Sequence, residues 1–222
     1  MMKHTIIAAA AAMTMLAAEA TAATLSGTYT INIRNFDDSD APGDVVTRSN
    51  SAATRSNFDA QAIDAVIEYT GALDFGIGSG GSSTTTIDNF LTSAGGSYSV
   101  VSSSIDLSST LLSQGSYVTT TFFEIFGSFA GNALNGLITH DDGITLEGNN
   151  VGGGVSAPPT SRRLTDFTAD AGDFTLLYAS ANGNPSILRV EADISPVPLP
   201  AGAVLLMSGL AGLGIARRRK KS

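Results

Sequence analysis

The stretch Gly136–Asn150, GLITHDDGITLEGNN, contains the residues of this chain best suited to chemistry. An apolar run leads into HDDG, and a second apolar run precedes two asparagines. Adjacent carboxylates at a turn are hard oxygen ligands, and an asparagine carbonyl can extend the set. One interpretation is a calcium site made by Asp141 and Asp142 with Asn149 or Asn150. The other is a plain hairpin, because Asp-Gly between two strand-like runs is a strong turn signal.

The remaining residues limit what catalysis the chain can perform. The chain has no cysteine, which excludes thiol catalysis, iron–sulfur clusters and cysteine zinc sites. Apart from His4 near the start, His140 is the only histidine, so a zinc site with three histidines is excluded. No Gly-x-Ser-x-Gly elbow or phosphate-binding loop accompanies it. We interpret His140 as a strand-end residue hydrogen-bonded to the turn, and we expect no enzymatic activity.

The start of the chain has the order of a secretory signal peptide. Lys3 precedes an apolar run over Thr5–Ala18, and small residues follow up to Ala22. This sequence of positive charge, apolar segment and small-residue exit is typical of a segment removed during export. We therefore predict a signal peptide over Met1–Ala22 that forms a helix before its removal.

The end of the chain reads VPLPAGAVLLMSGLAGLGIARRRKKS. The sixteen residues Ala201–Ala216 carry no charge, and counting back to Val197 gives twenty, enough to cross a hydrocarbon core of about 30 Å as a helix. The basic cluster that follows would stay in the cytoplasm. We predict a C-terminal transmembrane helix with the body of the protein on the outer side.

This tail resembles the exosortase sorting signals called PEP-CTERM, in the variant that has VPLPA in place of Pro-Glu-Pro. The resemblance covers the last 26 residues and implies recognition or cleavage by an exosortase-type membrane protease, with the helix and arginines acting as a stop-transfer element. We place the predicted sorting signal at residues 196–222. Its motif residues are Val197, Pro198, Leu199, Pro200, Ala201, Arg217, Arg218 and Arg219.

The body between these two ends is strongly acidic. It contains six arginines, no lysine and nineteen acidic residues, a net charge of −13. Such a surface repels nucleic acid and anionic lipid, so we expect no nucleic-acid partner. It suits binding of divalent cations.

The pattern of the body indicates an all-β fold. Short runs of Val, Ile, Thr, Phe and Tyr are bounded by Gly, Asn, Asp and Ser, which favours an antiparallel β-sandwich, jelly-roll-like, over residues 23–195. One short helix is expected over Thr86–Ala94, and irregular structure over Asp37–Ser56 and Gly148–Arg163. The predicted strands are Thr28–Asn35, Ala65–Tyr69, Tyr117–Phe126, Gly136–His140, Ile144–Glu147, Phe174–Tyr178 and Ser186–Ala192.

Part of the body resembles the protective-antigen-type sandwich, a family that includes sugar-binding domains of surface adhesins. The resemblance rests on GLITHDDGITLEGN and on FTADAGDFTLLYASANGNPSILRVEAD, Phe167–Asp193. In lectin members two consecutive aspartates bind a calcium ion that holds sugar hydroxyls. The resemblance assigns that role to Asp141 and Asp142. The chain has no tryptophan for sugar stacking, and Tyr117 and Tyr178 are the nearest aromatic alternatives.

These observations predict an exported bacterial cell-envelope or extracellular-matrix protein. It would be membrane-anchored before processing and then lie at the cell surface or outside the cell. A structural or adhesive role in the exopolysaccharide or biofilm layer is the first interpretation. A calcium-dependent carbohydrate-binding module is the second, and a secreted polysaccharide hydrolase the third, since a carboxylate pair among nineteen acids stays open.

Overall fold

A computed structural model describes residues 22–38, 45–78, 85–131 and 134–193, which belong to one compact unit. The helical part of the predicted signal peptide and the whole predicted sorting signal, residues 196–222, lie outside the described residues. Across the part of the chain that is described, no helix is long and apolar enough to cross a membrane. The first strand begins at Ala22, the last residue of the predicted signal peptide.

The first of two sheets, sheet A, is antiparallel throughout. Its strands follow the order β1-β13-β7-β11-β9, and β4 also pairs with β13. The long central strand β7 therefore lies between β13 and β11. The strands are β1 (Ala22–Thr24), β4 (Asp74–Ile77), β7 (Leu134–Asp141), β9 (Val151–Gly153), β11 (Arg163–Ala169) and β13 (Ser186–Asp193).

The second sheet, sheet B, is also antiparallel and has the order β10-β8-β12-β6-β2-β3-β5. The two sheets make an all-β sandwich, which confirms the predicted fold class. The strands are β2 (Ser26–Asp37), β3 (Ala65–Ala72), β5 (Ser97–Ser103), β6 (Thr119–Phe129), β8 (Ile144–Glu147), β10 (Val155–Ser156) and β12 (Gly172–Ser180).

Alternation along the strands builds the core between the sheets. In β2 the side chains of Tyr29, Ile31 and Ile33 are buried on one face, as the sequence predicts. In β13 Leu188 and Val190 face them from sheet A. The predicted short helix is confirmed as α2 (Ile87–Leu91), whose N-cap is Thr86 and whose apolar residues are buried in the same core.

A second, smaller core lies on the outer face of sheet B. The segment from Val46 to the helix α1 (Arg55–Asp59) crosses this face, and Val46, Ala53 and Phe58 are buried against it. The rings of Phe58 and Phe122 have centroids 4.7 Å apart. The prediction of irregular structure for Asp37–Ser56 therefore missed its covering role, because its few apolar residues are too widely spaced to show a period.

A buried ionic network joins this covering segment to the sheet. The carboxylate of Glu124 in β6 pairs with the guanidinium of Arg34 in β2 at 3.0 Å, and both side chains are almost fully buried. Arg55 bridges the same carboxylate and that of Glu147 in β8. Asn32 donates a third hydrogen bond to Glu124, at 3.1 Å.

All seven predicted strands are present, and the described residues contain six further strands. The prediction of one long loop over Gly148–Arg163 is wrong, because β9 and β10 lie within it. The strand predicted from Tyr117 begins instead at Thr119, since Gly115–Tyr117 forms a 3-10 turn.

Candidate functional site

The sequence HDDG connects the two sheets. It lies between β7 in sheet A and β8 in sheet B, and these two strands do not pair with each other. The interpretation of Asp141–Gly143 as a hairpin turn is therefore wrong. Residues 181–185 also connect the two sheets, leading from β12 in sheet B to β13 in sheet A. Both crossings occur at the same end of the sandwich.

A pocket of about 430 Å³ opens between these crossings. Its walls come from three separate parts of the chain: the HDDG crossing, the loop before β11 and the crossing after β12. Arg48 closes one side, and Tyr117 contributes a half-buried aromatic wall. The lining residues are Arg48, Tyr117, Asp141, Asp142, Pro159, Thr160, Ser161, Ala181, Asn182, Gly183, Asn184 and Pro185.

The two aspartates are buried in this pocket, and the peptide bond between them is cis. The Oδ2 atom of Asp142 accepts a 2.8 Å hydrogen bond from the backbone N–H of Ala181. The backbone N–H of Thr160 also donates to Asp142, and that of Arg162 donates to Asp141. Among the described residues, neither carboxylate forms an ion pair with a basic side chain.

Burial has a clear electrostatic consequence for this pair. Loss of hydration raises the pKa of Asp142 to about 8, although the backbone donors at Ala181 and Thr160 act in the opposite direction. Loss of hydration also raises the pKa of Asp141 to about 6. Two adjacent carboxyl groups thus resist carrying negative charge together in the metal-free protein. A bound cation would relieve that cost directly.

Two buried side chains fix the backbone beneath the carboxylates. The hydroxyl of Tyr178 donates to the carbonyl of Asp141 at 2.6 Å. His140 Nδ1 is hydrogen-bonded to the carbonyl of Asp142, and its Nε2 lies 2.8 Å from Thr165 Oγ1. Since burial lowers the pKa of His140, the neutral ring donates from Nδ1 and accepts at Nε2. His140 thus supports the turn, as expected from its strand-end position.

Hydrogen bonds from Ser113 and Ser116 hold the 181–185 crossing in place. The side-chain oxygen of Asn182 accepts a 2.9 Å hydrogen bond from the N–H of Ser116, and the carbonyl of Gly183 accepts from Ser113 Oγ. Asn182 and Gly183 adopt left-handed backbone conformations, with φ of 61° and 84°. Asparagine and glycine tolerate this region best, which explains the composition of the turn.

Asn149 and Asn150 do not join the aspartates. They follow β8, whereas the aspartates precede it, so the length of the strand separates them. Asn149 lines a different groove with Asp173, and Asn150 donates to the carbonyl of Asp170. Asn182 and Asn184 lie beside the aspartates instead. The signal in the sequence was ANGNP between two strands, but only the fold brings it next to HDDG.

The donor set fits a hard cation such as Ca²⁺. Besides the two carboxylates, the lining offers the hydroxyls of Thr160 and Ser161 and the amides of Asn182 and Asn184, and it contains no sulfur. Arg48 is the one basic residue among the described residues that line it. Within the described residues no three His, Cys, Asp or Glu side chains cluster as a metal site. The two aspartates would therefore supply the charge, and amide or main-chain oxygens, water or a ligand would supply the rest.

The second aromatic candidate is not accessible to a ligand. Tyr178 is fully buried and packs between Phe90 and Phe123, at centroid distances of 5.7 and 5.9 Å. Its expected role as a sugar platform is therefore wrong, because its hydroxyl points into the protein toward Asp141. Tyr117 lines the pocket and is the aromatic residue left for that role among the described residues.

No family model matches the chain, and no curated protein matches it. Several solved structures are similar to the chain, and two of them are PA14 domains. A PA14 sugar-binding domain from an RTX adhesin has a TM-score of 0.48 at 13% identity, over 76% of this chain and 90% of that one. The PA14 domain of the antifreeze protein MpAFP has a TM-score of 0.44 at 19% identity, over 79% and 88%.

Proposed function

We propose that the sandwich binds carbohydrate through a calcium ion held by Asp141 and Asp142. One observation carries this proposal: two adjacent carboxylates are buried side by side in an open pocket, and no basic side chain among the described residues forms an ion pair with them. Buried charges are normally paired or coordinate a metal. A divalent cation at this position would balance both.

Carbohydrate is the ligand class that suits such a site best. A calcium ion takes six to eight oxygen ligands, more than the two aspartates and their neighbours supply. Vicinal hydroxyls of a sugar are neutral oxygen donors and can fill positions that water otherwise takes. Tyr117 offers an apolar face beside the carboxylates, and a sugar ring can pack on such a face.

Sugar binding with and without calcium tests this proposal. The full-length protein would be kept in a polyoxyethylene detergent, because a sugar-based detergent would compete for the site. We expect binding to a glycan panel in CaCl₂, loss of binding in excess EGTA, and loss in Asp141→Asn/Asp142→Asn. The matched control is Asp166→Asn/Asp173→Asn, which makes the same charge change at two exposed positions. Binding unaffected by EGTA would contradict the proposal.

We also propose that the protein is exported and sorted by an exosortase-type membrane protease, as an adhesive or structural component of the exopolysaccharide layer. This proposal is supported by the apolar segments at both ends of the sequence, the VPLPA motif at Val197–Ala201 and the basic residues Arg217–Lys221. Mass spectrometry of the surface-exposed protein tests it. A C-terminus near Val197–Ala201 is expected, and an intact Ser222 would make the tail a permanent anchor instead.

A further inference from the structure

The basic residues of the described chain are concentrated at one end of the sandwich. Two of the six, Arg34 and Arg55, belong to the buried Glu124 network. The other four lie at the end of the sandwich that holds the aspartate pocket, and one of them lines it. Arg48 lines it, Arg162 and Arg163 follow its Pro159–Ser161 wall, and Arg189 lies in β13 two residues beyond the partner of Asp141.

Three of these four arginines form no ion pair with a carboxylate among the described residues, although the charges of Arg48 and Arg162 act on Asp142 and Asp141 across the pocket. Arg189 is ion-paired with Glu191 at 2.8 Å and lies 3.9 Å from Asp74. Arg48 donates to the carbonyl of Pro159 at 3.0 Å, a neutral acceptor. Arg162 and Arg163 form no ion pair within the described residues, and all three side chains are exposed. In a chain with a net charge of −8, unpaired cations grouped at one site need an explanation.

The charge of this end depends on whether a cation is bound. Without a cation, the negative charge that the aspartate pair carries offsets part of the positive charge of the three arginines. With a divalent cation, the carboxylates are neutralised and the three guanidinium groups leave a local positive charge on an acidic protein. A guanidinium group binds carboxylate and sulfate through two parallel N–H donors. The loaded site would therefore attract an anionic group.

A second groove on the protein surface lies next to the aspartate pocket, on the side of Arg162. The backbone of Arg162 donates to Asp141, and the same residue lines a second groove of about 360 Å³ with Thr139 and Arg189. A ligand bound at the aspartates can thus continue across Arg162 onto the outer face of sheet A.

From this distribution of charge we infer that the ligand is an acidic glycan, in which hydroxyls meet the cation and a carboxylate or sulfate group meets Arg48, Arg162 and Arg163. This inference rests on the proposed calcium-dependent sugar binding and narrows its ligand class. It requires no further cofactor.

Matched monosaccharides test it without the cation chelation that long polyuronates cause. The ligands are a methyl galactoside, the methyl glycoside of the corresponding uronic acid, and a sulfated galactoside, each titrated into the full-length protein at fixed free Ca²⁺. We expect the anionic ligands to bind on the order of tenfold more tightly than the neutral one. Comparing uronate with sulfate tells which anion the arginines prefer.

Arginine variants separate this inference from the proposal it rests on. The triple variant Arg48→Gln/Arg162→Gln/Arg163→Gln should lose the preference for anionic ligands and keep calcium binding. Arg189 is already paired with carboxylates, so Arg189→Gln should change that preference less. Equal binding of neutral and anionic sugars, or a preference that survives the triple variant, would overturn the inference and leave the proposed function standing. Absence of any sugar binding would contradict both this inference and the proposed calcium-dependent sugar binding. Binding to anionic phospholipid vesicles without sugar binding would overturn the inference and identify a membrane surface as the partner.

Discussion

The hydroxyl of Tyr178 donates a 2.6 Å hydrogen bond to the backbone carbonyl of Asp141. Tyr178 belongs to β12 in sheet B, and Asp141 ends β7 in sheet A, so this bond connects the two sheets beneath the pocket. It uses the backbone carbonyl of Asp141 and not the carboxylate of either aspartate. The core of the sandwich thus determines the position of the pair.

Replacing Tyr178 with phenylalanine should cost about 1–3 kcal/mol of unfolding free energy, because a buried carbonyl loses its donor. It should also weaken the calcium response, since the backbone that carries the aspartates is less constrained. Chemical denaturation with and without CaCl₂ measures both. Tyr69→Phe is the control, because the hydroxyl of Tyr69 donates to the carbonyl of Ala72, which does not line the pocket. An equal calcium response in Tyr178→Phe and the wild type would contradict this role.

The metal-free protein should lose stability as pH rises from about 4 to about 8. Folding raises the pKa of Asp142 to about 8, so in this range the folded state holds a proton that the unfolded state has released. The unfolding free energy then falls with pH, by up to about 1.4 kcal/mol per pH unit for one group. Melting curves in EGTA across this range measure the slope, and Asp142→Asn should flatten it. A wild-type melting temperature that rises over the same range would refute this account.

Gly143→Ala should disrupt the pocket. A Cβ atom at this position would lie 2.0 Å from the carbonyl oxygen of Ala157, which leads into the Pro159–Ser161 wall. Because the close atom belongs to the backbone, the loop must move. We expect a lower melting temperature and loss of calcium-induced stabilisation. Gly76→Ala is the control, since a Cβ atom there meets nothing within 4 Å; similar behaviour of the two variants would argue against close packing at Gly143.

Glu124→Gln should be strongly destabilising, by about 3–5 kcal/mol, because it leaves the buried guanidinium of Arg34 without its counter-charge. Burial raises the pKa of Glu124, but hydrogen bonds from Arg55, Asn32 and Arg34 outweigh this and hold it below its usual value. The contribution of this carboxylate is therefore present above about pH 4 and is lost as pH falls through the folded pKa.

Acid denaturation of the wild type and Glu124→Gln measures that contribution. Glu147→Gln is the matched control, because Glu147 and its partner Arg55 are each more than a third exposed at the side chain. Such a pair contributes about 0–1 kcal/mol. Equal destabilisation by the two variants would show that the buried network does not hold the covering segment in place.

The local sequence pattern was sufficient to predict the main strands and to single out the two aspartates. The alternation of Tyr29, Ile31 and Ile33 defined β2 because one face of that strand meets the core and the other does not. The pair Asp141–Asp142 stood out because two charges at the end of an apolar strand need a partner. The sandwich and half of the candidate site were therefore predictable from the sequence.

The remainder depends on contacts between distant parts of the chain. Asn182 and Asn184 reach the aspartates only because β12 and β13 lie in different sheets, as do β7 and β8. In β5, both faces are largely exposed at the edge of sheet B, so SYSVVSS has no alternation to reveal it. The two residues of β10 form a strand only through pairing with β8.

Calcium titration calorimetry of the full-length protein tests the central claim most directly. We predict one calcium ion bound per chain in the wild type and in Asp166→Asn/Asp173→Asn, and none in Asp141→Asn/Asp142→Asn that still shows the β-sheet circular dichroism spectrum. The same single binding event in the variant without the two pocket carboxylates, or no binding in the wild type, would contradict the account.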